Sequence, residues 1–578
     1  MRRFYRLSRR SVRLRPVQLL GLLLLLAWPT SHAFAQAPTW QRAVPVAQAS
    51  GGYTQVLATT TDAAGNVYLT GIFYGTVVLG SATLVSNGQA DVFVAKWSSA
   101  TGTYAWAAGA GGSRIDLATG IAVSGSSVYI TGDFVGTITF GATTLSNAAA
   151  LNTDVFVAKL TDAGTSASFT WAQQAGGALD DYPGALVVSG STVYLSGVSQ
   201  RQATFGSISV NTPGPNTFVA KLTDAGATAA WVWVQSSGGA SLESAPALAQ
   251  SGSSLYVAGS FHGSSTTFGS TTLTNANAVL GNPDVFVAKL TDAGASAAWV
   301  WARSAGGPEY DEAKALAVSG PSVYLTGYFR SATIGFGSTT LANANPTLLT
   351  PDVFVAKLTD AGPSASFTWA QQAGGPDIEE VRALAVSGAQ VYITGSFNSP
   401  TASFGATTLT NSVGDGTADV YVARLTDAGP TASISWAQQA GSPNGDIGRA
   451  LAIRGNAVYV AGESGGAARF GSQTLPSPAS TFGGFWASFT DPLLLASTAP
   501  AGPAPLALFP TPATAYVRVP ALPAGTAVQL VDALGRVART TTVSAAAQVS
   551  VRGLPAGLYT LRAPGAHGRT HTARLLVE

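Results

Sequence analysis

The sequence has no cysteine, one methionine and four histidines, and only 10% of its 578 residues are charged. Without cysteine there can be no disulfide staple, no thiolate-bound zinc or iron–sulfur cluster and no thiol nucleophile. His32 lies in a leader-like segment, and His567 and His571 lie near the C-terminus. His262 is therefore alone in the body of the chain, and no histidine cluster is available to a metal. Neither a G-x-S-x-G elbow nor a phosphate loop surrounds it, so it reads as a turn residue. What the chain does have is 46% apolar residues, 66 Gly and 30 Pro. That is too apolar for general disorder. Low charge with abundant Gly, Thr, Ser and Val fits an all-β chain with many turns.

Seven arginines crowd residues 2–15, an apolar stretch runs from Leu19 to Trp28, and Ala33-Phe34-Ala35 follows. This is the order of a secretory signal, residues 1–35, cleaved between Ala35 and Gln36. A membrane anchor is the alternative, but the apolar run is shorter than the ~20 residues a span requires. No later segment is long and apolar enough to cross a bilayer. Removing seven Arg from a chain of net charge +2 leaves the mature protein near −5. The Arg-rich last seventy residues leave an acidic body between the ends. Such a surface is poor material for phosphate backbones, so nucleic acid is set aside as a partner.

One unit recurs seven times. The Phe of DVFVAKL returns at Phe93, Phe156, Phe218, Phe286 and Phe354, then as Tyr421 and as Phe485. A VY(L/I/V)(T/S/A)G mark, with one Leu-Tyr variant, places Tyr68, Tyr129, Tyr194, Tyr256, Tyr324, Tyr392 and Tyr459. A tryptophan mark places Trp40, Trp106, Trp171, Trp233, Trp301, Trp369 and Trp436. Each unit reads as four short strands: ALAVSG, SVYLTGYF, DVFVAKL and FTWAQQAG. A lone sheet of this size cannot bury both faces, whereas stacked copies can. The pattern predicts an all-β fold, a seven-bladed β-propeller over residues 36–490. The first unit begins at the Trp40 strand and the last ends at the Phe485 strand. Residues 40–47 should therefore complete the last blade and close the ring.

Two charges recur with the unit. Lys96, Lys159, Lys221, Lys289, Lys357 and Arg424 end the FVAK motif. Asp116, Asp181, Glu243, Asp311, Glu379 and Asp446 follow the Gly-Gly (or Gly-Ser) pair. The base is missing at Ser488 and the acid at Val56. Both gaps fall in the blade that strand 40–47 would join, which suggests a repeated ion pair between these positions. The segment before DVFVAKL varies in length and is longest at 269–283 and 337–351, with 414–419 beside them. Fixed spacing suggests framework, and variable spacing suggests exposed loops that form a binding rim.

Together, the Gly-Gly pair, the downstream acid, VY(I/L)TG, DVFVAKL and the ~65-residue period resemble the SBBP-type β-propeller repeat of bacterial secreted proteins. The resemblance covers about residues 40–490 and implies a propeller and extracellular display. It implies no catalytic residues.

A Pro/Ala-rich linker spans 491–505, and short strands resume over 506–578, which reads as a small β-sandwich. This segment resembles the type A sorting domain of the type IX secretion system. The resemblance rests on Leu508-Phe509-Pro510-Thr511-Pro512, Asp532-Ala533-Leu534-Gly535-Arg536, Leu554-Pro555-Ala556-Gly557-Leu558-Tyr559 and Arg574 to Glu578. It implies export across the outer membrane of a Bacteroidota-type bacterium, with the secretion machinery as partner. A carbohydrate-binding or immunoglobulin-like module is the alternative.

Carboxylates pair at Asp180-Asp181, at Glu309 with Asp311-Glu312 and at Asp377 with Glu379-Glu380. Such pairs can serve glycoside hydrolysis or hold Ca²⁺. Their recurrence in one loop class favours a structural role, so no cofactor and no catalytic residue are assigned. The sequence thus predicts a secreted or surface-associated, non-enzymatic propeller that binds a glycan or protein ligand. The alternatives are a polysaccharide-active enzyme and a purely structural surface protein.

Overall fold

The DVFVAKL strand is apolar or buried along its whole length, so it must be covered on both faces. In the unit that starts at Asp116, it lies third in a four-stranded antiparallel sheet. The strands are Asp116–Ser124, Ser127–Val135, Thr153–Asp162 and Ala167–Gly177, hydrogen-bonded in that order. Residues 154–160 are all buried. The structure, a computed structural model, describes residues 36–47, 52–147, 149, 151–239, 244, 247–277, 281–414, 416–478, 482–494, 512–519, 522–532, 536–564 and 570–578. The signal segment with Ala35, residues 495–505 of the linker, and Glu243 lie outside the described residues, whereas Gln36 is described and exposed. No helix occurs among the described residues.

The same strand order recurs in sheets that begin with Tyr53–Thr61, Tyr182–Ser189, Ala247–Ser251, Asp311–Ser319 and Glu379–Ser387. In the sheet that begins with Asp446–Arg454, the outermost strand is N-terminal. Trp40–Pro45 pairs antiparallel with Gly483–Thr490, setting Val44 opposite Trp486. Neighbouring sheets pack face to face. Tyr324, Val353, Val355 and Trp369 of one sheet share a buried cluster with Val381, Val391, Ile393, Phe397 and Tyr421 of the next. The first strands of successive sheets also pack side by side, from Tyr53–Thr61 through Asp446–Arg454. That last strand packs in turn against Tyr53–Thr61.

The variable segment is not all loop. It opens with a two-stranded hairpin that the sequence pattern did not reveal, such as Thr137–Phe140 with Thr143–Ser146. The stretches 269–283 and 337–351 likewise contain the hairpin strands Thr271–Thr274 and Thr339–Ala342. Phe140 anchors its hairpin on Phe156, with ring centroids 4.9 Å apart. Six of these hairpins reach back to the end of the preceding sheet's outer strand. Ala175–Gly177 pairs with Ala203–Phe205, Gly374 pairs with Ser403, and Gly111 bridges to Thr139.

This stitch explains the Gly-Gly pair. A Cβ on Gly112 would lie 1.8 Å from the Thr137 carbonyl oxygen, and one on Gly111 would lie 2.1 Å from Asp91 Cγ. The register also moves the missing acid. Thr54 stands opposite Phe73 as Asp116 stands opposite Phe134, so Thr54, not Val56, takes the acid's place in the first unit.

The chain divides into two compact units, the second being Asp491–Glu578 with Gly455–Ala457. Within it, Val537–Thr542, Ala527–Asp532, Gly557–Pro564 and Thr570–Val577 form one sheet, and Tyr516–Arg518 pairs with Gln548–Ser550. The strand Val537–Thr542 is polar and mostly exposed, with sequence Val-Ala-Arg-Thr-Thr-Thr. Val517, Val549, Val528, Leu530, Leu561 and Leu575 share one buried core. Two of the motifs singled out in this segment are local ties. Arg536 donates its backbone N–H and Nε–H to Asp532 at 2.9 and 2.8 Å. Tyr559 donates its hydroxyl hydrogen to the Pro555 carbonyl at 2.9 Å, just after Gly557 opens its strand. Pro512 is exposed, and Pro510 and Gly535 lie outside the described residues.

The stitch yields a testable expectation. Gly374→Ala would place a Cβ 2.1 Å from Asp352 Oδ1. It should cost about 1–3 kcal/mol in chemical denaturation, as overpacking does. A change within about 0.5 kcal/mol, the range of ordinary surface sites, would show that the close approach relaxes freely.

Candidate functional site

Five of the seven repeats bring a Tyr, a Lys and a Trp to one end of the sheet from its second, third and fourth strands. Their common partner is the Asp of the T-D-A-G turn in the next repeat. Tyr68 Oη and Lys96 Nζ each donate to Asp162 Oδ2 at 2.7 Å, and Trp106 Nε1 donates to Oδ1 at 2.9 Å. The clasp recurs as Tyr129, Lys159 and Trp171 on Asp224, and as Tyr194, Lys221 and Trp233 on Asp292. It recurs again as Tyr256, Lys289 and Trp301 on Asp360, and as Tyr324, Lys357 and Trp369 on Asp427. The Lys and Asp side chains are about nine-tenths buried. Burial alone would raise these carboxyls. The bonds from Lys, Tyr, a backbone N–H and Trp outweigh it and hold all five below the usual carboxylate value.

The expected ion pair is thereby corrected. The bases at Lys96, Lys159, Lys221, Lys289 and Lys357 pair across the sheet junction with the turn aspartates. Asp116, Asp181, Asp311 and Glu379 sit at the opposite end of the sheet, at the start of the first strand. Arg424 is buried with its guanidinium 5.5 Å over the Trp436 ring, and Asp446 takes the acid's usual place. The loss at Ser488 still has a counterpart. Ser99 stands where the next repeat has Asp162, so the sheet containing Trp40–Pro45 meets its neighbour without this base and acid. Trp40 Nε1 is buried there without an acceptor.

The acids have a different task. Asp116 Oδ2 accepts the Gly112 N–H at 2.7 Å, and Asp311, Glu379 and Asp446 accept the corresponding N–H at 2.6–2.7 Å. The Asp that opens the third strand lies beside them and fixes the base of the variable loop. Asp91, Asp284, Asp352 and Asp419 accept N–H groups of Asn87, Ala276, Ala344 and Ser412, each at 2.6 Å. Two buried carboxylates therefore face each other at this end of the sheet. Burial, then the neighbouring carboxylate, pushes Asp116 up to about 8. Glu379 also rises to about 8, and Asp181 and Asp311 to about 7, with burial the largest cause. Asp284 and Asp352 rise to about 6, again by burial. Burial first, and the neighbouring carboxylate after it, make these carboxyls hold their protons to higher pH than ordinary ones. The N–H groups already directed at these oxygens suit an anion or a carboxyl group rather than a cation. Among the described residues no three His, Asp or Glu side chains gather as a metal would require.

Around this end lie most of the large exposed apolar side chains of the first unit. They include Ile115, Leu151 (72% exposed), Tyr182, Tyr310, Leu348 (68%), Leu349, Ile378 and Val413. Turns at the clasp end, such as 124–127 and 162–167, are built from Ser, Gly, Asp, Ala and Thr. Of the remaining acids singled out by sequence, Asp180 accepts the Thr153 N–H, and Glu309 accepts from Asn282 Nδ2 at 3.0 Å. The Asp377 N–H donates to Ser399 Oγ. Glu312 and Glu380 are half-buried and ion-paired with Lys314 and Arg382. Glu463 accepts from Arg449 and from Tyr53 Oη and Gln55 Nε2, the last two at 3.0 and 2.6 Å. His262 stands edge-on to Tyr310, with centroids 6.1 Å apart.

No protein-family model matches the chain, and no curated protein matches it. Among solved structures it is similar to the hemagglutinin-neuraminidase ectodomain of parainfluenza virus 5. The identity is 10% and the TM-score 0.30, over 82% of this chain and 96% of that one. It is also similar to the extracellular domain of a hybrid two component system of B. thetaiotaomicron, at 8% identity and TM-score 0.17, over 93% and 100% of the chains. Likenesses this loose say nothing about site or substrate. No helix among the described residues is long and apolar enough to cross a membrane.

Two measurements test this geometry. A carboxyl raised on folding stabilises fully below its unfolded value, about 3.9–4.3. That stabilisation is lost as pH rises through the folded value, here about 7–8 for the acids that follow the glycine pair. The clasp aspartates are lowered, so their contribution is present above about 3.9 and lost below it. The melting temperature should therefore peak near pH 4–6 and fall toward pH 9, and Glu379→Gln should flatten the alkaline limb. A flat or rising profile between pH 5 and 8.5 would refute the buried pairs. In native-state hydrogen exchange, Trp40–Pro45 should exchange sooner than its clasped counterpart Ala365–Gly374. Equal protection would mean that the missing Ser99–Ser488 tie is made good elsewhere.

Proposed function

We propose that this is a secreted, non-enzymatic seven-bladed β-propeller, closed through strand Trp40–Pro45, that binds a glycan or protein ligand at the cell surface. Export would use the C-terminal 506–578 segment as a type IX sorting domain. Support for the ring comes from the side-by-side order of the first strands, in which Asp446–Arg454 packs against Tyr53–Thr61. Support for sorting comes from the sequence motifs together with the local ties at Asp532–Arg536 and Pro555–Tyr559.

The observation that carries the binding role is the contrast between the two ends of the sheets. One end is tied by clasps and turned with small polar residues. The other carries variable loops, anchored by buried aspartates and studded with exposed Leu, Ile, Val and Tyr. Apolar side chains gathered on one rigid rim mark an interaction surface, because water contact there is unfavourable and a partner removes it.

The full chain should give saturable binding on glycan, polysaccharide or protein arrays, with and without Ca²⁺. The double substitution Leu348→Ser and Leu349→Ser should weaken the interaction at least about tenfold, roughly 1.4 kcal/mol. A ligand consumed over time would replace this reading with a polysaccharide-active enzyme. Self-association with no ligand on any array would replace it with a structural coat.

A further inference from the structure

Three successive first strands carry the same charge arrangement near their loop end. Lys314, Arg382 and Arg449 each lie three residues after the buried acid that opens the strand. Each is ion-paired with a carboxylate, Glu312, Glu380 and Glu463 respectively. The side chains of Lys314, Arg382 and Arg449 remain 20–34% exposed, so the pairs meet solvent. The first two pairs are also linked through Tyr328, and the belt is extended on both sides. Glu380 lies close enough to Tyr328 to help raise its hydroxyl pKa, after burial and Glu312, whereas His262 acts on Glu312 with the opposite sign and, after Lys314 and Tyr328, helps to lower that carboxyl. Lys314 Nζ sits 5.1 Å over the Tyr328 ring. At the other side, Gln55 and Tyr53 complete the belt through Glu463. The first strands Asp116–Ser124 and Tyr182–Ser189 present Leu117 and the exposed ring of Tyr182 instead.

We infer that this belt, at the loop-end mouth of the ring formed by the first strands, is the seat of a neutral oligosaccharide. The inference rests on the binding role proposed above and narrows it to one site and one ligand class. Three cations matched by three carboxylates give charge-assisted donors and acceptors in balanced pairs, and Asp133, a further carboxyl beside Tyr182, is pushed up to about 7 by burial. A polyanion would meet the carboxylates and a polycation the basic groups. An apolar ligand would strip water from six charged groups without replacing their hydrogen bonds. A hydroxyl-rich neutral ligand donates and accepts at every position, and the exposed ring of Tyr182 suits the C–H face of a sugar ring, because tyrosine is apolar across its body.

The test uses the full chain, first on an array of neutral and acidic glycans and then by calorimetry with the tightest neutral oligosaccharide found. Arg382→Gln, Tyr182→Ala and the charge-neutral double substitution Glu380→Gln with Arg382→Gln should each raise Kd at least about tenfold. The double variant removes both charges together, so a melting temperature near that of the parent separates lost binding from lost fold. Unchanged affinity in these variants, or selective binding of acidic glycans, would overturn the inference. If Leu348→Ser with Leu349→Ser abolishes binding while the belt variants bind normally, the belt falls and the loop-end binding role stands. If no glycan binds at all, the belt falls, and a protein ligand is what the binding role would then have to find.

Discussion

A carboxylate buried at the junction of two sheets has to be met at once by a compensating charge and by hydrogen-bond donors. The Asp of each T-D-A-G turn meets that demand with Lys, Tyr and Trp side chains from three different strands of the preceding sheet. Because the three donors come from three strands, the aspartate fixes the register of one sheet against the next. The hydrophobic clusters between sheets supply most of the driving force for stacking, but they are non-directional. The clasp supplies direction, and it is repeated at one junction after another with distances that vary by about a tenth of an ångström.

With one end of five junctions held in this way, the other end is free to vary. There the tie is made by backbone. The hairpin of one repeat reaches the glycine pair of the preceding sheet, and buried acids close the glycine loop and the base of the variable loop. Length changes between Asn343 and Asp352, or between Asn275 and Asp284, leave the framework untouched because both ends of each loop are anchored. Apolar side chains and the ion-paired belt collect at this end, where neither is required by the framework.

Much of the framework can be read in the sequence. The Tyr, Lys and Trp of the clasp are three of the recurring marks, and the N-terminal strand completes the last sheet as the order of marks predicts. Their common partner was harder to see. The turn aspartate lies 65–71 residues beyond its lysine, in the next repeat, and T-D-A-G reads as turn chemistry alone. The acid after the glycine pair is nearer in sequence and attracted the pairing by proximity. Register settles the matter, because Lys159 and Asp181 belong to opposite ends of a sheet. Register likewise moves the missing acid from Val56 to Thr54. The hairpins escaped notice because four-residue strands such as Thr143–Ser146 are too short to show periodicity. The belt was legible only as scattered charges, since Glu463 and Gln55 are far apart in sequence and meet only where the two ends of the first unit do.

The interaction between Lys357 and Asp427 is the most direct probe of the junction. A double-mutant cycle on the full chain, with Lys357→Ala, Asp427→Ala and both together, reads it out in chemical denaturation. Each single change should cost about 3–5 kcal/mol by leaving the other charge buried and unpaired. The double change should cost much less than their sum, with a coupling of about 2 kcal/mol or more. Single costs below about 1 kcal/mol that add within about 0.5 kcal/mol would mean that the clasp does not hold the sheets together.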